Sequence, residues 1–215
     1  MEIQVEKDHY ELKNYVNTER WHSYYNQLCE IIAVTQNRGG VFIIGKGDGI
    51  VGEILNSVYH FRVIYFDFDA SLEPDIVGDV CKESDFPDSK FDTVVCCQVL
   101  EHIPYEAFES AIQNISRICG NTFILSLPVR SFRFSLSFKL PKLRRKVVNV
   151  IIPRFYEKNV PWKGQHFWEA GTRRKGIRDI NAILEKYFVI EKDYYCTENP
   201  YHYFWILKCR GKSER

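Results

Sequence analysis

The sequence predicts an α/β fold, a doubly wound and mostly parallel sheet finished by a reversed C-terminal β-hairpin. Three observations carry this. Short, wholly apolar runs alternate with segments of helical spacing, the pattern of βαβ units around a buried parallel sheet. A glycine-rich turn joins the first such run to the helical segment after it. Near the end, two strand-like runs, 187–196 and 201–210, are separated by only Thr197-Glu-Asn-Pro200. So short a connection permits an antiparallel pair alone, because a parallel return needs a crossover of about a dozen residues.

Taken in order, the first 35 residues read as helical, with Trp21, Leu28, Ile31 and Ile32 as the packed face. Val41–Ile44 is an apolar run stopped by Gly45 and reads as a buried strand. From Asp48 to Val58 the apolar residues 50, 51, 54, 55 and 58 follow helical spacing. Arg62–Phe66 is β-branched and aromatic, a second strand. Phe91–Cys97 is a third, Ile103–Ile118 a helix, and Thr122–Leu127 another strand. The stretch from Arg130 to Thr172 holds prolines at 141, 153 and 161 and reads as an insertion over the sheet edge or the mouth of a site. Four units result: a helical lid over 1–38, a ligand-binding α/β half over 39–129, a basic and aromatic insertion over 130–174, and a closing helix and hairpin over 175–215.

Composition narrows the function. The 215 residues carry 29 Lys+Arg against 28 Asp+Glu, and 45% are hydrophobic, as in one folded domain of ordinary size. The balanced charge gives no general affinity for nucleic acid. No uncharged apolar run approaches the ~18 residues that span a membrane, and the charged N-terminus is no signal peptide, so a cytoplasmic location is expected. The 7 cysteines include no CxxC pair, which suggests neither a disulfide framework nor a zinc site. They read as buried, reduced thiols, and no metal ligand is assigned.

Gly45-Lys46-Gly47-Asp48-Gly49 follows a strand and opens a helix. Glycines allow a tight turn there and let a ligand touch the backbone, whose N–H groups face it. Ile50 breaks the G-x-G-x-x-G spacing of dinucleotide-binding domains, which argues against an NAD(P)-dependent oxidoreductase. Asp67 ends the next strand, 22 residues after Gly45, where a carboxylate is placed to accept both hydroxyls of a ribose. Loop and acid together indicate a nucleoside ligand.

These runs, with Gly78-Asp-Val80 and Phe91-Asp-Thr-Val-Val-Cys-Cys-Gln-Val-Leu-Glu-His-Ile103, resemble the class I S-adenosylmethionine-dependent methyltransferases, whose Rossmann-like fold also ends in a reversed strand. The resemblance is greatest to the type 11-like group, in which the fourth strand ends in Val-Leu-Glu-His, and it spans about residues 39–128. It implies S-adenosylmethionine as cofactor. Gly45, Lys46, Gly47 and Gly49 would lie along its methionine part, Asp67 on the ribose, Phe68 on the adenine, Asp79 and Val80 at the adenine edge, and Gln98 at the methionine end. One position departs from the family: Ile43 stands where an acid is usual, two residues before the first glycine. A non-catalytic binding protein on the same fold is therefore the alternative reading.

Methyl transfer from a sulfonium is an in-line displacement in which orientation and exclusion of water do most of the work. An oxygen or nitrogen acceptor also needs a base near neutral pKa, for which histidine is suited. His166, in a polar and aromatic stretch of the insertion, is the first candidate, with Glu169 and His102 behind it. Tyr10, Tyr15, Trp21, Tyr24 and Tyr25 offer an aromatic lid or simply a packed helix. From Arg130 to Tyr156 eight bases and no acid are interleaved with Phe132, Phe134, Leu136, Phe138 and further aliphatics. That mixture suits an anionic membrane surface, or a lipid- or sugar-phosphate acceptor.

Overall fold

In a computed structural model the described residues are 15–36, 40–88, 90–139, 146–157 and 166–210. The parallel core is built from β1 (Gly40–Ile44), β2 (Arg62–Asp67), β3 (Ile76–Val77), β4 (Phe91–Cys97) and β5 (Cys119–Pro128). A hairpin of β8 (Phe188–Tyr195) and β9 (His202–Cys209) completes a seven-stranded sheet of order β3-β2-β1-β4-β5-β9-β8. The pairs from β3 to β5 are parallel, and β9 runs antiparallel to both β5 and β8. The expected α/β architecture and reversed hairpin are thus both present.

Alternation along the strands sorts the core into two layers. Phe42 and Ile44 of β1 point to one face with Val94 and Cys96 of β4. There they meet Ile112 and Ile115 of α3 (Phe108–Ile118) and Ile180 and Leu184 of α4 (Ile177–Leu184). Val41 and Ile43 point to the other face, against Tyr24 and Ile31 of α1 (Thr18–Val34) and Val51 and Leu55 of α2 (Ile50–Ser57). Asn17 caps α1, its side chain accepting from Arg20 N at 2.8 Å.

The expected packed face of α1 holds in part. Ile31 is fully buried, and Leu28 and Ile32 pack against the core, but Trp21 is 50% exposed. The face is set instead by Ser23, Tyr24, Gln27 and Ile31, an i, i+4, i+8 row that includes polar residues. Two helices start later than their spacing suggests. The loop consumes residues 45–49, so α2 begins at Ile50, and single 3₁₀ turns at Leu100–His102 and Tyr105–Ala107 precede α3.

The insertion is not irregular. It contains a two-stranded antiparallel ribbon, β6 (Ser131–Phe138) and β7 (Lys146–Pro153), outside the main sheet. Register pairs Phe132 with Ile152, Phe134 with Val150 and Leu136 with Val148, so one face of the ribbon is apolar up to its end, where Lys146 stands opposite Phe138. Those six side chains and Phe138 are between 45% and 65% exposed. The ribbon is pinned at its base by Arg130, which pairs with Glu157, and by Asn149, whose amide donates to Thr197 O at 2.7 Å. Among the described residues, no helix is long and apolar enough to cross a membrane.

Candidate active site

The turn after β1 is shaped by backbone that only glycine adopts readily. Gly45, Gly47 and Gly49 have φ of 87°, 51° and 72°. A Cβ on Gly45 would lie 2.3 Å from Cγ2 of Val99, so the loop and the turn after β4 are in direct contact. Gly49 N donates to Lys46 O at 2.9 Å and its carbonyl accepts from the Tyr65 hydroxyl at 2.8 Å.

This loop borders a cavity at the carboxyl end of the sheet. Gly45, Lys46, Gly47, Gly49 and Gln98 of the anticipated cofactor residues line it, with Ile43 and Asp48. Helix α1 and the turn before it form the opposite wall through Tyr15, Arg20, Ser23, Tyr24 and Gln27. Tyr15 and Tyr24 thus line the cavity, and Tyr24 is also packed in the core, while Tyr25 and Trp21 are exposed and Tyr10 lies outside the described residues. Gln98 takes a positive φ of 59° and is held by Ser126, its amide donating to the hydroxyl at 3.1 Å.

Asp67, Phe68, Asp79 and Val80 lie outside that lining. Asp67 ends β2, buried, with Oδ2 accepting from Lys46 N at 2.7 Å and Oδ1 from Asp69 N at 3.0 Å. The carboxylate keeps acceptor capacity beyond these bonds for a hydroxyl. Burial, aided by the Asp69 charge and only partly offset by the N–H groups of Asp69, Lys46 and Phe68, raises its pKa. Phe68 is half-buried. Asp79 Oδ1 accepts from Cys81 N at 2.9 Å. Val80 is 2% exposed with its side chain in the main core, which leaves its backbone as the part able to border a ligand.

The three candidate catalytic residues come together. The rings of His102 and His166 are 5.0 Å apart and nearly perpendicular. His166 Nδ1 is 3.0 Å from Glu169 Oε1, which also accepts from the Tyr201 hydroxyl at 2.6 Å. Arg130 stands 3.9 Å from the other carboxylate oxygen. Burial opposes ionisation of Glu169, but the His166 and Tyr201 hydrogen bonds outweigh it and hold its pKa low. Burial likewise pushes the His166 pKa down; the bond to Glu169 and the charges of Glu101 and Glu169 outweigh that and raise it.

Two residues at the site were not anticipated. Glu101, beside His102, is 1% exposed, and burial pushes its pKa up to about 7. His202 lines the cavity, its Nδ1 2.7 Å from the Ser23 hydroxyl, and burial followed by the nearby Arg20 and Arg133 drives its pKa down to about 3. The adjacency Glu101-His102 at a strand end was the available signal for the first; nothing local in the sequence marks the second.

Residues 43–122 match a family model described as a methyltransferase domain. No curated protein matches the chain. Among solved structures it is similar to the PH0226 protein from Pyrococcus horikoshii OT3, at 16% identity over 94% of this chain and 96% of that one, with a TM-score of 0.59. It is similar to the glycopeptide N-methyltransferase MtfA complexed with S-adenosyl-L-methionine, at 13% identity, 91% and 96% coverage and TM-score 0.58. The magnesium protoporphyrin IX methyltransferase ChlM from Synechocystis PCC 6803 with bound SAM matches at 17% identity, 89% and 80% coverage and TM-score 0.53. At such identities the structures speak for the fold, and the family match speaks for the cofactor-binding half. Residues 43–122 thus match a methyltransferase domain, set in an α/β fold that the chain shares with solved methyltransferases.

Proposed function

We propose that the chain transfers a methyl group to an oxygen, or less readily a nitrogen, of a small or membrane-associated anionic acceptor such as a lipid or sugar phosphate. The observation that carries this reading is the His166–Glu169 pair at 3.0 Å, whose histidine feels the charge of Arg20 in the wall of the glycine-lined cavity. S-adenosylmethionine, when bound, supplies the electrophilic methyl on its sulfonium. The residues fit that group: the glycine turn offers bare backbone, and the Asp67 carboxylate, anchored by Lys46 N and Asp69 N, keeps acceptor capacity for a hydroxyl. In this reading Gly45, Lys46, Gly47, Gly49 and Gln98 hold the methionine part. Asp67 takes the ribose hydroxyls, Phe68 packs on the adenine, and Asp79 with the Val80 backbone borders its edge. Asp48, in the same cavity, offers the carboxylate that Ile43 does not.

Glu169 holds the Nδ1 proton of His166, so Nε2 is the ring's acceptor and takes the proton of the methyl acceptor. Glu169 then offsets the imidazolium charge. His102 stacks edge-on against His166 and fixes its plane. The apolar face of the β6–β7 ribbon, with bases at Arg133 and Lys139 and through 142–146 of the sequence, suits seating at an anionic lipid surface.

The test is incubation of the purified chain with methyl-labelled cofactor and a panel of hydroxylated lipids, sugar phosphates and amines, with and without anionic vesicles. Label on an oxygen of an anionic acceptor is expected, reduced at least tenfold in His166→Ala. Label confined to amines, or transfer unchanged in that variant, would overturn the acceptor reading. Calorimetric binding of S-adenosylhomocysteine is run alongside, to separate a failed acceptor from a failed cofactor site.

A further inference from the structure

Glu101 is the most anomalous polar side chain of the described structure. Both its carboxylate oxygens are buried, and neither meets a hydrogen-bond donor. Leaving a carboxylate in that state costs several kcal/mol unless a charge offsets it. Two imidazoles are at hand. One ligand-capable atom from each of Glu101, His102 and His166 lies within 4.8 Å of the other two. A separation within that bound suits three donors around a shared ion.

The surroundings orient these donors. Glu169 accepts the Nδ1 proton of His166 at 3.0 Å, which leaves the Nε2 lone pair directed away from Glu169. Carboxylate–imidazole–metal relays are built this way, the outer acid fixing the tautomer and making the ring a stronger donor. Glu169 is itself fixed by Tyr201 at 2.6 Å and by Arg130 at 3.9 Å. The loop carrying His166 is tied to the strand end, because Phe167 N donates to the Glu101 carbonyl at 2.9 Å. The donors thus come from two segments that the backbone already locks together.

We propose that Glu101, His102 and His166 form a binding site for one divalent first-row transition-metal ion, with Glu169 as its outer-shell partner. Two imidazoles among three ligands favour Mn²⁺, Fe²⁺, Co²⁺ or Zn²⁺ over Mg²⁺ and Ca²⁺, which prefer oxygen. Three protein ligands leave coordination positions open, and Tyr15 of the cavity wall feels the Glu101 charge. An acceptor hydroxyl or phosphate oxygen is the class of ligand that would complete the shell. With the ion bound, Nε2 of His166 is a ligand, and the base role proposed above belongs to the metal-free chain. A coordinated hydroxyl would lose its proton to solvent.

The experiment is calorimetric titration of the chelator-treated full chain with Mn²⁺, Co²⁺, Zn²⁺, Mg²⁺ and Ca²⁺, with visible absorption spectra for Co²⁺. One transition-metal ion per chain is expected, with no binding of Mg²⁺ or Ca²⁺ at the same concentrations. Co²⁺ should develop ligand-field bands. Glu101→Gln and His166→Asn should each lose binding at least tenfold, and Glu169→Gln should weaken it ~10–100-fold while the stoichiometry stays at one. Far-ultraviolet circular dichroism checks that each variant is folded. No heat and no cobalt bands in the wild-type chain would overturn the proposal, as would equal binding in the folded Glu101→Gln variant. Neither readout requires an acceptor, so a failure here is distinct from a failure of the methyl-transfer reading.

Discussion

The hydroxyl of Tyr24 donates to Oδ2 of Asp48 across 2.5 Å, joining helix α1 to the glycine loop on opposite sides of the cavity. Asp48 Oδ1 accepts from Ile50 N at 3.1 Å, so one carboxylate fixes both α1 and the first turn of α2. A hydrogen bond to a charged group contributes about 1.5–3 kcal/mol. Tyr24→Phe should therefore weaken S-adenosylhomocysteine binding roughly tenfold, and Asp48→Asn at least as much. Titration calorimetry on both variants checks this. Unchanged affinity in Tyr24→Phe would mean that the α1 contact is packing alone.

Gly45 is a second point of control. Its φ of 87° costs a residue with a Cβ about 1–2 kcal/mol, and the added carbon would overlap Cγ2 of Val99 at 2.3 Å. Gly45→Ala is expected to lower the melting temperature and remove detectable cofactor binding. Adding Val99→Ala relieves the overlap but leaves the dihedral cost, so stability should return only in part. Full recovery in the double variant would show that the contact, and not the backbone conformation, selects glycine.

The sheet was legible because its parallel strands are buried on both faces and read as unbroken apolar runs. Phe91–Cys97 has the same bounds in sequence and structure. The ribbon was not recognised, although Phe132-Arg-Phe-Ser-Leu-Ser-Phe138 alternates with period two. Prolines and bases dominated that segment, and among the described residues its apolar face is exposed, with only Phe132 shown covered, by Arg154 at 4.1 Å. Trp21 misled for the opposite reason: a large aromatic was assigned to the core, and the core took Ser23 and Gln27 in its place. In the site, the glycine loop and the strand-end Asp67 follow from local spacing. The approach of Glu101 and His102 to His166 depends on how a loop more than 60 residues away folds back, and spacing carries no such information.

His202 should make the fold acid-sensitive. Its folded pKa is depressed to about 3, below the unfolded value of 6.5, so the native ring stays neutral while the unfolded chain binds a proton. Stability is then intact above pH 6.5 and is lost progressively as pH falls from 6.5 toward 3. The loss from this residue by pH 5 is about 2 kcal/mol. Denaturant melts of wild type and His202→Asn at pH 5 and pH 7.5 measure it. The variant is expected to be less stable at pH 7.5, through loss of the Ser23 contact at 2.7 Å, but to show a shallower decline on acidification. Parallel pH profiles would assign the acid sensitivity to other groups.

The ribbon yields a prediction that separates surface chemistry from stability. Phe134 and Leu136 are 65% and 55% exposed and project from the same face as Val148 and Val150, their cross-strand partners. Because little of their surface is buried, Phe134→Ser with Leu136→Ser should change unfolding free energy by no more than about 1 kcal/mol. Binding to anionic vesicles behaves differently, since each apolar side chain that enters the interface contributes in proportion to the area it hides from water. The double variant should bind such vesicles at least tenfold more weakly, while Arg133→Gln should matter mainly at low salt. Co-sedimentation at two ionic strengths reads both effects. Wild-type binding that is abolished by salt and indifferent to Phe134 and Leu136 would make the attraction purely electrostatic and leave the apolar face to a protein partner.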